Sequence, residues 1–283
     1  MWRDDNPKET GAGPEEELHL QEAWYRGLDQ VLARIRTTQR MALAQAADRI
    51  VTTVTNGGLC HLYDTGHMLM HELVGRAGGL LLFTPIYVDL SLRHPARFRP
   101  PANPGPAGPQ AEGAGPPGIP ARPRRRVHLD EIPGMAEYIL SAADCRPGDV
   151  LILGSVSGAS LLAVELALEA KLQGLFVIGL TSVAASQAAE ARHPSGKRLY
   201  EVVDLVLDHQ TPPGDALVPV DAVAPVCPAS GIAAAYLMWA LTAEITARLL
   251  KQGRIPSVLM SNHLPGAGEH NRQARERYQE QGY

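Results

Sequence analysis

DVLILGSVSGASLLAVELALEAKLQGLFVIGLTS, residues 149–182, decides the fold. An apolar run, DVLILG (149–154), passes through the small, hydroxyl-rich GSVSGAS (154–160) into the helical pattern LLAVELALEAKLQ (161–173). A second apolar run, GLFVIGLTS (174–182), follows at once. Strand, loop, helix and strand in that order form a parallel pair with a crossover helix, and parallel strands need cover on both faces.

The same alternation continues outward in both directions. LCHLYD (59–64) reads as a first strand, HMLMHELVGRAGG (67–79) as a helix stopped by Gly78-Gly79, and LLLFTPIYVDL (80–90) as a second strand. MAEYILSAADC (135–145) is helical, VVDLVLDH (202–209) is a fifth strand, and IAAAYLMWALTAEITARLLKQ (232–252) is a long apolar helix. The expectation is a three-layer α-β-α sandwich around a five-stranded parallel, flavodoxin-like sheet. Upstream, Leu20, Trp24, Leu28, Val31, Leu32 and Ile35 mark one face of an amphipathic helix, and a second helical run ends at Asn56-Gly57-Gly58. These bounds divide the chain into a disordered leader (1–17), an N-terminal helical arm (18–56), the sheet domain (57–252) and a polar tail expected to pack near the site (253–283). Residues 99–126 carry nine prolines and five glycines with almost nothing apolar to bury, which predicts an irregular insertion within that domain.

Composition narrows the function classes. With 283 residues, 45% of them apolar, and a mean hydropathy of −0.10, the chain has material for a sizeable core. A net charge of −4 gives no general attraction to nucleic acid or anionic membranes, so any anion must be bound locally. Cys60, Cys145 and Cys227 have no CxxC spacing, which supports neither a disulfide framework nor a cysteine-rich zinc site. The N-terminus lacks the apolar segment of a signal peptide, and no 18-residue apolar run occurs, so a cytoplasmic protein is expected.

Open parallel sheets bind ligands beyond the carboxyl ends of their strands, where neighbouring connections leave in opposite directions. A flavodoxin-like order puts that point between the first and third strands, whose exit loops are DTGHM (64–68) and GSVSGAS. The second loop opens a helix, so unpaired N–H groups and the positive end of the dipole face outward. Ser155, Ser157 and Ser160 add hydroxyls, and Gly158 permits close backbone approach; together they form a phosphate cradle. An ordinary strand-to-helix turn with a serine cap needs only one such hydroxyl. The GxxxxGK[ST] spacing of a P-loop and the GxGxxG of a dinucleotide site are both absent.

SVSGAS resembles the SxSGx[ST] phosphate loop of SIS (sugar isomerase) domains, which bind phosphosugars. The similarity extends through LALEAKLQGLFVIGLTS, RHPSGKRLYEVVDLVLD, PPGDAL and GEHN, roughly Gly57 to Asn271 apart from the insertion. The resemblance implies the SIS fold, a homodimer or higher oligomer, and a phosphosugar site at a subunit interface. The first-strand loop departs from the GxGxS common in SIS domains, with Asp64, Gly66 and Met68 at those positions; Thr65, Gly66 and His67 are its expected ligand contacts, with Ser182 beyond the fourth strand. HELVGR (71–76) is similar to the ELxGR segment of the heptose-phosphate isomerase branch, which implies that Glu72 is an acid/base catalyst. His193 in RHPSGKR and His270 in GEHNR are candidates for a second acid/base. His67 and His71 share a helical face, but no third metal ligand accompanies them, so neither metal nor cofactor is expected. The expected function is phosphosugar binding with isomerase or lyase chemistry, the alternative being a sensor without turnover.

Overall fold

Every residue of β3 (Val150–Gly154) is buried, as a strand with a layer on each face must be. The computed structural model describes residues 14–65, 69–88, 128–221 and 223–283. Within them β3 pairs in parallel with β1 (Cys60–Asp64) on one side and β4 (Phe176–Thr181) on the other. β2 (Phe83–Pro85) and β5 (Leu205–Asp208) complete the sheet at its edges, in the order β2-β1-β3-β4-β5. That order is the flavodoxin-like one, with its switch point between β1 and β3.

Strand periodicity sorts the core into two halves. Cys60, Leu62, Val150, Ile152, Ile178 and Leu180 face one way, packing with α1 (Pro14–Thr38), α2 (Arg40–Thr55) and α7 (Ser230–Lys251). Tyr63, Leu151, Leu153 and Val177 face the other, against α4 (Met135–Ala142) and α5 (Leu161–Leu172). The N-terminal helices are therefore a layer of the core: Val31, Ile35, Ile50 and Val51 are buried in the same cluster as Leu237 and Leu241. The first helix also starts earlier than its apolar stripe, at Pro14, inside the stretch expected to be a disordered leader. Proline suits the first helical turn, where its missing N–H costs nothing.

Other elements depart from the sequence reading. The helix expected over 67–79 is only one turn, α3 (Met70–Leu73), because Val74 is extended and Gly75 and Gly78 take the left-handed conformation at φ +72° and +81°. The strand expected over 80–90 shrinks to three residues at a sheet edge, where Pro85 has no N–H for a further neighbour. Leu80 instead forms an antiparallel bridge with Val258. Residues 209–229, for which no element was expected, include a hairpin, β6 (Ala216–Val220) with β7 (Val223–Pro228). The polar tail contains α8 (Ala267–Gln281), anchored by Asn271, whose Oδ1 accepts from Met260 N at 2.7 Å, and by buried Tyr283, whose carbonyl accepts from Ser257 Oγ at 2.8 Å. Among the described residues no helix is long and apolar enough to cross a membrane.

Candidate functional site

The loop between β3 and α5 is fixed by its carbonyls. Thr65 donates to Gly154 O through its N–H at 3.0 Å and its hydroxyl at 3.2 Å, linking the exit of β1 to the exit of β3. Val156 O accepts from Ser182 N and Thr181 Oγ1, both at 3.0 Å, while Gly158 O accepts from Leu199 N at 2.8 Å and Ala159 O from Arg192 N at 3.0 Å. None of these bonds uses the N–H groups of Val156, Ser157 or Gly158, and α5 follows with its positive end at the same place. Two hydroxyls serve the backbone as acceptors: Ser157 Oγ takes Ala159 N at 3.4 Å, and Ser160, the cap of α5, takes Ala163 N at the same distance. Each retains its O–H as a donor.

Gly158 has a different reason from the one its sequence context suggests. At φ +56°, a Cβ added there would lie 2.8 Å from Leu199 Cβ, 3.1 Å from Thr181 Oγ1 and 3.3 Å from Ser186 Oγ. The close approach is to the protein's own interior, and it holds the loop down on the short helical turn Leu199–Glu201.

Above the loop lies a cavity of about 400 Å³ lined by Thr65, Ser155, Ser157 and Ser160, the size of a small-ligand site. Its charged lining residues are Arg192 and three carboxylates, Asp64, Asp130 and Glu190. Asp64 Oδ2 accepts from Leu69 N at 2.7 Å, which ties the β1 exit loop back on itself. Burial, reinforced by the Asp64 and Asp130 carboxylates, holds the Tyr63 hydroxyl above its ordinary pKa. The cavity therefore joins a wall of hydrogen-bond donors at the helix terminus to an acidic, hydrogen-bond-accepting wall.

Gly66 and His67 lie outside the described residues, as does the side chain of His71. Among those described, no group of three or more His, Cys, Asp or Glu residues is arranged to hold a metal ion. Thr65, Ser155, Ser157 and Ser160 come together in the cavity wall. Ser182 does not line it: fully buried, this residue caps α6 (Val183–Ala188), accepting from Ala185 N at 3.1 Å and donating to Thr211 O at 2.6 Å. Glu72 also stands apart from the lining, bound to Arg76 and accepting from Trp239 Nε1 at 3.2 Å. His193 faces a separate cavity over α5 beside Glu165 and Glu169, with its Nδ1 2.7 Å from Ser195 Oγ. His270, read as a loop or tail residue, is on α8, where Nε2 donates to Val258 O at 3.0 Å. Through Val258, which bridges to Leu80 just before β2, His270 is tied to the β2 side of the sheet. Sequence reasoning missed Arg192, Asp130 and Glu190; the one available signal was that Arg192 immediately precedes His193 in the long matching run.

Comparison with known proteins identifies the family. The model of the family described as SIS domain matches residues 23–100 and 114–182. A UPF0309 protein of Halalkalibacterium halodurans is 31% identical over 260 residues, covering 91% of this chain and 94% of the relative. One of Streptomyces coelicolor is 34% identical over 257 residues, covering 88% and 91%. Among solved structures, a phosphoheptose isomerase from Francisella tularensis aligns with 83% of this chain and 100% of its own, at 15% identity and a TM-score of 0.45.

Proposed function

Because the chain belongs to the SIS domain family, we propose that the cavity at the β3–α5 loop binds a phosphorylated sugar or amino sugar and carries out proton transfer on it, as an aldose–ketose isomerase or a lyase. The observation that carries this reading is the loop itself: N–H groups, two retained hydroxyl donors and a helix terminus converge on one wall of a cavity that Arg192 also lines. A phosphate seated there receives charge-assisted hydrogen bonds. The sugar then extends along Asp64, Asp130 and Glu190, whose oxygens accept from its hydroxyls, or from an ammonium group in an amino sugar. In the isomerase reaction a carboxylate takes the proton from the carbon beside the carbonyl, leaving an enediolate; the resulting carboxylic acid returns that proton to the former carbonyl carbon, while the hydroxyl proton passes from one oxygen to the other.

Glu72, His193 and His270 do not converge on this cavity within one chain. In our reading they bear on the reaction only if a homodimer or higher oligomer brings them to a neighbour's loop. The same separation favours a second reading, a phosphosugar sensor without turnover. Sugar phosphates tested by thermal shift, with the binders then held for hours and followed by NMR, separate the two: binding without product selects the sensor. Ser157→Ala tests the seat common to both. Losing one donor to an anion removes about 1.5–3 kcal/mol, so affinity for the phosphosugar drops roughly 10- to 100-fold while binding of the unphosphorylated sugar scarcely changes. A marked fall in melting temperature with unchanged phosphosugar affinity would make Ser157 a structural residue and remove the seat.

A further inference from the structure

On the other side of β1 from the switch point, the sheet and α4 line a cavity of about 480 Å³ that shares no described lining residue with the cavity at the β3–α5 loop. Its walls include Ile86, Val88, Met135 and Ile139, with Tyr87 and Tyr138, both largely exposed, also in the lining. Among the described residues, no Asp, Glu, Lys or Arg lines it. Two polar side chains are, His61 on β1 and Thr84 on β2, which the strand register sets side by side.

His61 is 1% exposed, with Nε2 3.0 Å from Asp149 Oδ2. The Asp149 carboxylate already accepts from Leu59 N at 2.8 Å and Arg146 N at 2.9 Å. A carboxylate only accepts, so Nε2 carries the hydrogen directed at Asp149, and in its uncharged form the ring has a lone pair on Nδ1. That Nδ1 and the buried Oγ1 of Thr84 have no hydrogen-bond partner among the described residues. Buried polar groups are nearly always paired, so an unpaired ring nitrogen and an unpaired hydroxyl, both closed to solvent in residues that line the cavity, mark a place that a ligand atom reaches by a small rotation of these side chains.

We propose that this cavity is a second small-molecule site, for an uncharged phenolic ring. A single phenol oxygen satisfies both groups, donating its hydrogen to His61 Nδ1 and accepting from Thr84 Oγ1, while the ring packs against the apolar and tyrosine walls. Charged ligands would be desolvated without a counter-charge, and a sugar would leave most of its hydroxyls unpaired.

Calorimetric titration with 4-methylphenol and with toluene, which differ only by the hydroxyl, tests the assignment. Saturable binding of 4-methylphenol is expected, roughly five- to tenfold tighter than that of toluene. Thr84→Val, an isosteric change on an edge strand, narrows that ratio; His61→Phe should do the same, but it strips Asp149 of its ring partner, so Thr84→Val is the safer variant. Ala142→Phe, at an exposed position in the lining, weakens both ligands at least tenfold. Ser157→Ala leaves 4-methylphenol affinity unchanged, so failure here and failure of the phosphate seat are read independently. Absence of saturable 4-methylphenol binding up to its solubility, equal affinity for toluene, or indifference to Ala142→Phe would each overturn the proposal.

Discussion

Burial pushes the His209 imidazole down to about 4, against a smaller upward pull from the Asp215 carboxylate. The side chain is fully buried after β5, with Nδ1 3.1 Å from Thr211 Oγ1, and the fold holds it neutral. An unfolded histidine takes up its proton near pH 6.5. Between pH 6.5 and about 4 the unfolded chain thus binds a proton that the folded chain refuses, and stability falls as pH drops through that window. The contribution is complete above pH 6.5 and amounts to on the order of 3 kcal/mol across the window. Urea midpoints measured at pH 7 and 4.5 check it: the drop between them shrinks in His209→Gln, whereas an unchanged drop assigns the acid sensitivity elsewhere. Residues of this kind were illegible in the sequence, since nothing in VVDLVLDHQT says that the histidine turns inward. Gly158 was legible as an obligatory glycine but not for its reason, because the methyl that would clash meets Leu199, 41 positions later, and such a meeting exists only once the chain is folded.

At the scale of elements, α7 depends on a residue far from its own first turn. Asp215 accepts from Ser230 N at 2.7 Å and Ser230 Oγ at 2.6 Å, and does so from the left-handed region at φ +65°. Asp215→Ala loses the cap and strains the backbone, for a cost of about 2–3 kcal/mol. Asp215→Gly relieves the backbone and keeps only the capping loss of about 1 kcal/mol, while Asp215→Asn, which retains an acceptor, recovers most of it. Equal losses for Ala and Gly in thermal denaturation would show that the backbone conformation costs nothing. Elements with strong local patterns, β3 through β4 above all, were readable because apolar periodicity and turn residues agreed. The β6–β7 hairpin was not: its strand VAPVCP is exposed along its whole length and carries two prolines, so neither burial alternation nor β propensity identifies it. The brevity of α3 was equally hidden, since HELVGR has helical spacing and only the left-handed Gly75 ends it.

At the scale of the whole molecule, alternating strands and helices indicated a parallel sheet, and the flavodoxin-like order, one of the few arrangements this leaves and the one observed, puts the β3–α5 loop at the switch point. Where the tail, Glu72 and the two histidines stand relative to that loop could not follow, because it depends on packing between segments remote in sequence. One such packing covers an entire face of the sheet: α1 and α2 end by Thr55, but the core they share is completed by α7, which begins at Ser230, and Arg248 Nε donates to Asp48 Oδ1 at 2.5 Å across that gap. A chain cut after residue 229 lacks Ala233, Leu237, Leu241 and Ile245 from this core. Such a chain should bind a hydrophobic dye strongly and unfold without a cooperative transition; a sharp transition like that of the full chain would mean that the face closes without α7.

That distance along the chain also sets a schedule for synthesis. Growing at 5–20 residues per second, a nascent chain spends roughly ten to thirty seconds between the end of α2 and the start of α7. From their own synthesis until α7 emerges, the sheet residues on this face, Leu62, Ile152 and Ile178 among them, lack the helix that will cover them. Slow, non-local closure of this sort keeps sticky surface in solvent, so the yield of folded protein in a cell should respond to growth temperature and to translation speed through residues 56–229.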